Sequence, residues 1–405
     1  MDGACFGKPD GAEEVDGPKT AGPKIVEPVS AVDKMPKFLK MTPEETQQKY
    51  DELMRLEGER LAEKDGQWSR LDPDPVLDRY NNVHPWANNR IKLQVPEGVN
   101  DYINASPVTL ASTSTKQSTL KKGIQDKYIC MQGPKSETVD HTWHMIWHEL
   151  SVPYNSSPAI VIMLSPTHAP MPNDPSKMLE KCYRYFPNEF DTTPFKINER
   201  NQLGEDFKAT VRFDSNLPAI PGTTIEGRKF IMTVDGEDEE KPIFHYLYPS
   251  WPDFGALEEH NVESIIQLMH LSREKNGKAE NARVVHCSAG VGRTGTFVAL
   301  EFLMGELQGG AWENWDEEIR HTNQGSDPVY ETVNQLRMQR RTMVQAFEQY
   351  AFLYEVLRKM WEEKYGVPCI GGEHEHPKSV VEGSTSMYEK KSVCGRQPTD
   401  PMDKL

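Results

Sequence analysis

The 405-residue sequence contains no run of about 18 apolar residues, so it offers no helix able to cross a membrane. Its first residues, MDGACFGKPDGAEEVDG, lack the apolar stretch of a secretory signal. Its last, PTDPMDKL, form neither a prenylation box nor an endoplasmic-reticulum retention signal. Six cysteines, Cys5, Cys130, Cys182, Cys287, Cys369 and Cys394, are scattered with no CxxC pair, which argues against a disulfide framework or structural zinc. Positive charge is scarce: 46 Lys and Arg against 62 Asp and Glu give a net charge of -16. Nucleic acid and anionic membranes would repel such a chain, although net charge leaves a local pocket for an anionic substrate open. There is no internal repeat of the solenoid kind. The expectation is a protein of a reducing compartment, the cytoplasm with the nucleus as a second location. No cofactor, metal, nucleic-acid partner or membrane insertion is expected.

Apolar residues make up 37% of the chain, enough for one large core, while 30 prolines and 28 glycines imply long irregular stretches. Residues 1–41 and 365–405 are polar with little apolar periodicity and read as disordered arms around one domain of 42–364. In the tail, His374 and His376 read as solvated rather than metal-binding. Thr42, Pro43 and Glu45 spell a helix start with a capping box, and Tyr50, Leu53, Met54 and Leu61 follow near one face. Asp327 and Pro328 spell a second helix start. The stretches 142–150 and 260–275 have helical periodicity. SPAIVIMLSP (157–166) and ARVVHC (282–287) are short apolar runs between turn residues, as buried strands are. The mixture predicts one α/β or α+β domain.

The stretch VVHCSAGVGRTGTFVAL (284–300) concentrates the chemistry. A strand should end at Cys287 and a helix begin near Arg293, with Phe297, Val298, Leu300, Phe302 and Leu303 buried. Between them, Ser288, Ala289, Gly290, Val291 and Gly292 are small enough for their backbone N–H groups to turn inward together. Inward amides at a helix N-terminus hold an anion, and a guanidinium such as that of Arg293 adds a two-pronged grip on phosphate. The same positive field lowers a cysteine from about 8.5 into the range of about 3.5–7.5. Thr294 can donate a hydrogen bond toward the Cys287 thiolate. The stretch carries no GxxxxGK[ST], so it is not a nucleotide-binding phosphate loop. It reads as a loop that holds a tetrahedral dianion above a nucleophilic sulfur.

HCSAGVGRTG (286–295) resembles the signature of the tyrosine-specific, non-receptor-type protein tyrosine phosphatases. Further blocks resemble that family in its order: DRYNNVHPWANNRIKL (78–93), DYINAS (101–106), YICMQGP (128–134), TWHMIWHE (142–149), IVIMLSP (160–166), KCYRYFP (181–187), YPSWPDFG (248–255) and MVQAFEQYAFLY (343–354). The resemblance implies an α/β (α+β) fold, a twisted mixed sheet flanked by helices with the site at the strand ends. It implies hydrolysis of phosphotyrosine in proteins through a cysteinyl-phosphate on Cys287, with Arg293 and the loop amides holding the phosphoryl oxygens. It makes Asp253 general acid and then base, beside Phe254 in the mobile acid loop. Gln345 and Gln349 become water-positioning glutamines, and Tyr80, with Asn82 and Val83, a wall that selects phosphotyrosine. His286 would orient the cysteine, and Lys181 would meet the acid loop when it closes.

Several positions depart from the family pattern. Asn82 stands where many members carry an aspartate. No glutamate precedes Lys181 at the spacing that would orient Arg293; Ser176 lies there, with Asp174 or Glu180 as substitutes. Thr342 would narrow a second aryl site served by Arg337 and Arg340. The alternatives to an active tyrosine phosphatase are a phosphotyrosine-binding pseudo-phosphatase and a dual-specificity phosphatase. Finally, KMPKFLKM (34–41) sets three lysines around Phe38 and Leu39. It is read mainly as packing on the first helix, and alternatively as a docking arm for a mitogen-activated protein kinase.

Overall fold

The computed structural model describes residues 35–63, 68–69, 71–112, 126–150, 157–171, 174–252, 257, 259–318 and 327–366. Ten strands occur among them: β1 (Ala105–Thr109), β2 (Lys127–Met131), β3 (Ala159–Met163), β4 (His168–Met171), β5 (Asp174–Glu180), β6 (Phe195–Ile197), β7 (Ala209–Asn216), β8 (Glu226–Val234), β9 (Glu240–Leu247) and β10 (Ala282–His286). The helices are α1 (Pro43–Ala62), α2 (Val139–Glu149), α3 (Glu259–Asn276), α4 (Gly292–Gln308), the short α5 (Trp315–Glu318), α6 (Pro328–Gln339) and α7 (Phe347–Tyr365).

Eight strands form one mixed sheet in the order β1-β2-β10-β3-β9-β8-β7-β6, and β4 and β5 pair separately. The four strands β2, β10, β3 and β9 run parallel. Such strands are buried on both faces, and β3 is buried at every residue. Their register sets Met131, His286 and Met163 level, with Leu247 beside Met163. The connections after these residues therefore leave one edge of the sheet together, where parallel sheets open their ligand crevices. The remaining pairings are antiparallel.

Alternation along the strands divides the core. Cys130, Ile160, Ile162 and Val285 pack toward α4, α6 and α7 on one face. Ile129, Val161 and Val284 pack toward α2 on the other. The helix starts are those the sequence spells: Thr42 and Glu45 close a capping box at α1, and the Asp327 carboxylate accepts from Val329 and Tyr330 at α6. The buried face of α1 differs from the expected one. Tyr50 and Leu53 are buried, but Met54 is 45% exposed and Leu61 only half-buried. Glu57 and Arg60 take the inward row instead, because Glu57 accepts two hydrogen bonds from Thr342 and Arg60 donates to Asn334.

Order begins before Thr42. Lys37–Lys40 forms a single turn of 3-10 helix with Phe38 and Leu39 buried. Phe38 packs edge-on against Trp312 and Trp315, at 5.2 and 6.1 Å between ring centroids. Arg358 of α7 donates to the Leu39 carbonyl. The expected tail, apart from Tyr365 and the left-handed Gly366 that caps α7, lies outside the described residues, as do residues 1–34.

Candidate active site

The loop after β10 is shaped by what holds its carbonyls. The Ser288 carbonyl accepts from the Gly133 N–H, the Ala289 and Gly290 carbonyls from the Arg340 guanidinium, and the Val291 carbonyl from the Gly295 and Val344 N–H groups. In a trans peptide the N–H points opposite to the C=O. Fastening four successive carbonyls to the framework thus turns the following N–H groups to the loop's inner side. Gly290 takes φ +74°, and a Cβ there would overlap the Met131 carbonyl, so only glycine fits. Val291 stands at the N-cap of α4 with no side chain to cap it, and the first turn holds no acidic residue. A buried helix start without a cap keeps its N–H groups for an anion.

Cys287 lies at this spot, 3% exposed. Burial alone would push its thiol up. The Arg293 charge, the Thr294 hydroxyl and N–H, and the Gly290 N–H outweigh burial and bring it below the ordinary thiol value. The Gly290 N–H is 3.3 Å from Sγ, and the Thr294 Oγ1 has no other partner. His286 is fully buried. Its Nδ1 is 3.2 Å from the Cys287 carbonyl and its Nε2 2.8 Å from the Tyr185 hydroxyl, which also meets His245. Burial pushes His286 down to about 4, so the ring is neutral near pH 7 and braces the cysteine backbone. Arg293 donates to the Trp251 carbonyl at 3.0 Å. That bond joins the loop after β10 to the WPD segment after β9.

The other expected residues fall into four groups. Tyr80 is brought to the loop, its hydroxyl 2.8 Å from the Ser288 Oγ. Val83 is buried beneath it, and the buried Asn82 Oδ1 has no hydrogen-bond partner. Gln345 and Gln349 both reach Gly292: a Cβ there would lie 3.0 Å from the Gln349 Nε2 and 3.4 Å from the Gln345 Oε1. The Gln349 Oε1, however, accepts from the Gln345 and Ala346 N–H groups, so Gln349 caps α7 as well as facing the loop. Lys181 is buried, its N–H bonded to the Thr167 carbonyl. Asp253 and Phe254 lie outside the described residues.

Two expectations need correction. Arg337 and Arg340 serve no second aryl site, because both are fully buried. Arg337 donates to the Met343 and Val344 carbonyls, and Arg340 holds the loop. Glu180 is engaged by Arg79, and Asp174 by Ser176 and Lys177, so neither is spent on Arg293. Thr342 takes φ +61° and is held by Glu57.

Residues 75–359 match the family model of the protein-tyrosine phosphatases. The chain belongs to that family. Its reaction is accordingly the hydrolysis of phosphotyrosine. The phosphatase is 31% identical to tyrosine-protein phosphatase 1 of Saccharomyces cerevisiae over 69% of this chain and 81% of the yeast one. It is 32% identical to human receptor-type tyrosine-protein phosphatase alpha over 69% of its own length but 29% of that receptor's. Its fold is similar to the catalytic domain of human protein tyrosine phosphatase non-receptor type 18, with a TM-score of 0.57 at 21% identity, covering 78% and 96% of the two chains. No described helix of the phosphatase is long and apolar enough to cross a membrane.

Sequence reasoning missed the residues that fix the site from behind. Arg79 donates to the Gly133, Pro134 and Glu180 carbonyls, which sets the segment that receives the Ser288 carbonyl. Asn104 accepts from Arg340 and donates to the Val83 carbonyl, linking the Tyr80 wall to the loop. For Arg340 the available signal was an arginine just past the end of a helix with no acidic residue three or four positions before it.

Proposed function

We propose that this phosphatase uses Cys287 as nucleophile and Asp253 as proton donor and acceptor. The Cys287 thiolate attacks phosphorus, an S–P bond forms, and the P–O bond to tyrosine breaks. Asp253 protonates the departing phenolate. Water oriented by Gln345 then attacks phosphorus and gives its proton to Asp253. The S–P bond breaks, phosphate leaves, and the thiolate is restored. Through both steps Arg293 and the inward N–H groups meet the negative charge on the equatorial oxygens. The pinned loop carries this reading, because its dipoles are in place before any substrate arrives.

The substrate is phosphotyrosine in proteins, since Tyr80 on the Ser288 hydroxyl makes a slot that suits a long aryl phosphate. Docking of a mitogen-activated protein kinase through Phe38 and Leu39, the one ground for naming that partner, does not fit their burial. A reducing compartment, the cytoplasm with the nucleus as a second location, keeps such a thiolate active. Cys287→Ser tests the mechanism. It should abolish turnover of para-nitrophenyl phosphate and keep affinity for a phosphotyrosine peptide. Acid-quenched wild type should carry one phosphate on the Cys287 peptide. Turnover near the wild-type rate in the variant would overturn the covalent route.

A further inference from the structure

Gln345, which meets Gly292 of the catalytic loop, follows a stretch of unfavourable backbone. Thr342 takes φ +61° and Val344 φ +57°. The other non-glycine residues with positive φ, among the described residues, are Asn198 and Asn201. Asparagine tolerates that left-handed region, whereas a β-branched side chain is crowded there. Such a segment keeps its shape only where its surroundings over-determine it. Here the Thr342 N–H and hydroxyl donate to the two Glu57 carboxylate oxygens, at 3.1 and 3.0 Å. The Arg337 guanidinium donates to the Met343 and Val344 carbonyls, and the Val344 N–H donates to the Val291 carbonyl. At Gln345 itself the N–H donates to the Gln349 Oε1, and the carbonyl accepts from the Tyr50 hydroxyl. With both of its own backbone groups held, Gln345 has a fixed Cα–Cβ direction. Tyr50 and Glu57 stand seven residues apart on the buried face of α1, and neither lies within the residues 75–359 that match the family model. Arg337 lies against both, 5.3 Å from the Tyr50 ring centroid and 3.8 Å from the Glu57 carboxylate. Phe347 and Tyr350 pack on the Tyr50 ring, at 5.9 and 5.7 Å, and hold its hydroxyl toward Gln345.

We infer that Tyr50 and Glu57 are positioning residues for the second chemical step, hydrolysis of the cysteinyl-phosphate, and that α1 acts on that step through the backbone of Gln345. The inference rests on the reading above that Gln345 orients the attacking water. In that step water attacks phosphorus, the S–P bond breaks, and Asp253 takes the water's proton. The first step makes no use of Gln345, because Cys287 attacks and Asp253 protonates the phenolate. A misplacement of about 1 Å can cost a step roughly 10²-fold, so loosening one backbone anchor should be visible in the rate. The two steps leave different kinetic marks. Only events up to the release of the phenol enter kcat/KM. A slower second step therefore lowers kcat and KM together, leaves kcat/KM unchanged, and raises the share of enzyme held as cysteinyl-phosphate. A general loosening of the fold would lower stability without that accumulation.

The test compares the full wild-type chain with Tyr50→Phe, Glu57→Gln, Gln345→Ala and Leu53→Ala. Each is measured by steady-state kinetics and rapid acid quench with para-nitrophenyl phosphate, whose acidic leaving group makes the first step fast. Tyr50→Phe keeps the ring and removes the hydroxyl. Glu57→Gln keeps the shape and turns an amide NH₂ toward one of the Thr342 donors. Both should lower kcat by about threefold or more, lower KM in proportion, keep kcat/KM within about twofold, and raise the phosphoenzyme fraction. Leu53→Ala empties a buried position of α1 and should lower the melting temperature without raising that fraction. Gln345→Ala checks the underlying reading: if it does not raise the phosphoenzyme fraction, Gln345 does not orient the water, and the reading and the inference fall together. If Gln345→Ala raises it but either Tyr50→Phe or Glu57→Gln does not, the inference alone is overturned. An equal rise in Leu53→Ala would overturn it as well.

Discussion

Gly290 shows how far one residue can govern this site. Its positive φ and its contact with the Met131 carbonyl both exclude a side chain. Gly290→Ala should push the loop off its pinned path and lower kcat/KM by about 10²-fold or more, the scale of losing a preorganised donor. Steady-state kinetics with an aryl phosphate checks this. Asp253→Ala should slow substrates with basic leaving groups and spare those with acidic ones; an equal loss across leaving-group pKa would refute general-acid catalysis. The lowered Cys287 thiol predicts that the acid limb of kcat/KM lies below the ordinary thiol value, with activity rising as pH rises through it. The sequence made Cys287, Arg293 and Thr294 legible because nucleophile, guanidinium and hydroxyl sit within eight residues. It hid Arg340, 47 positions beyond Arg293, because only the fold brings it to the carbonyls of Ala289 and Gly290.

Among elements, α4 starts without a side-chain cap, and Arg340 holds the Ala289 and Gly290 carbonyls that lead into it. Arg340→Lys cannot span the Gly290, Ala289 and Asn104 oxygens with one ammonium. It should depress kcat more than it raises KM, since the loop's charge-stabilising shape matters most in the transition state. The turn at Lys37–Lys40 is a separate clasp. Phe38→Ala should cost about 3–5 kcal/mol, as for a buried phenylalanine. It should lower the melting temperature while leaving turnover of small aryl phosphates at room temperature unchanged. Helix starts were legible wherever side chains do the capping, as at Thr42 and Asp327. The β4–β5 pair was not, because five of the seven residues of β5 are exposed and leave no apolar pattern. Nor was the destination of Phe38, since Trp312 and Trp315 lie more than 270 residues away.

For the whole molecule, buried histidines set the response to acid. His144 and His286 are pushed down to about 4, His245 well below its ordinary value, and His141 in the same direction, each chiefly by burial. Above pH 6.5 these rings are neutral whether folded or unfolded. As pH falls below that, the unfolded chain takes protons that the fold refuses, at about 1.4 kcal/mol for each unit of difference per site. Asp327, Glu306 and Glu331 work the other way, because burial pushes Asp327 up to about 6 and raises the other two, so their protonation in acid favours the fold. Five lowered histidines, His148 among them, outnumber three raised carboxyls and decide the sign. The urea midpoint should therefore fall between pH 6.5 and 4.5, and a flat midpoint would contradict the burial of these rings.

The hydrogen bond from Arg293 to the Trp251 carbonyl has a thermodynamic consequence. On the proposed mechanism the same guanidinium also holds the anion, so the two events share a free energy. Such coupling is reciprocal. If an oxyanion such as vanadate favours one position of that segment by some factor, the favoured position must bind vanadate more tightly than the other by that same factor. Inhibitor binding thereby becomes a gauge of loop equilibrium, readable without observing the loop at all.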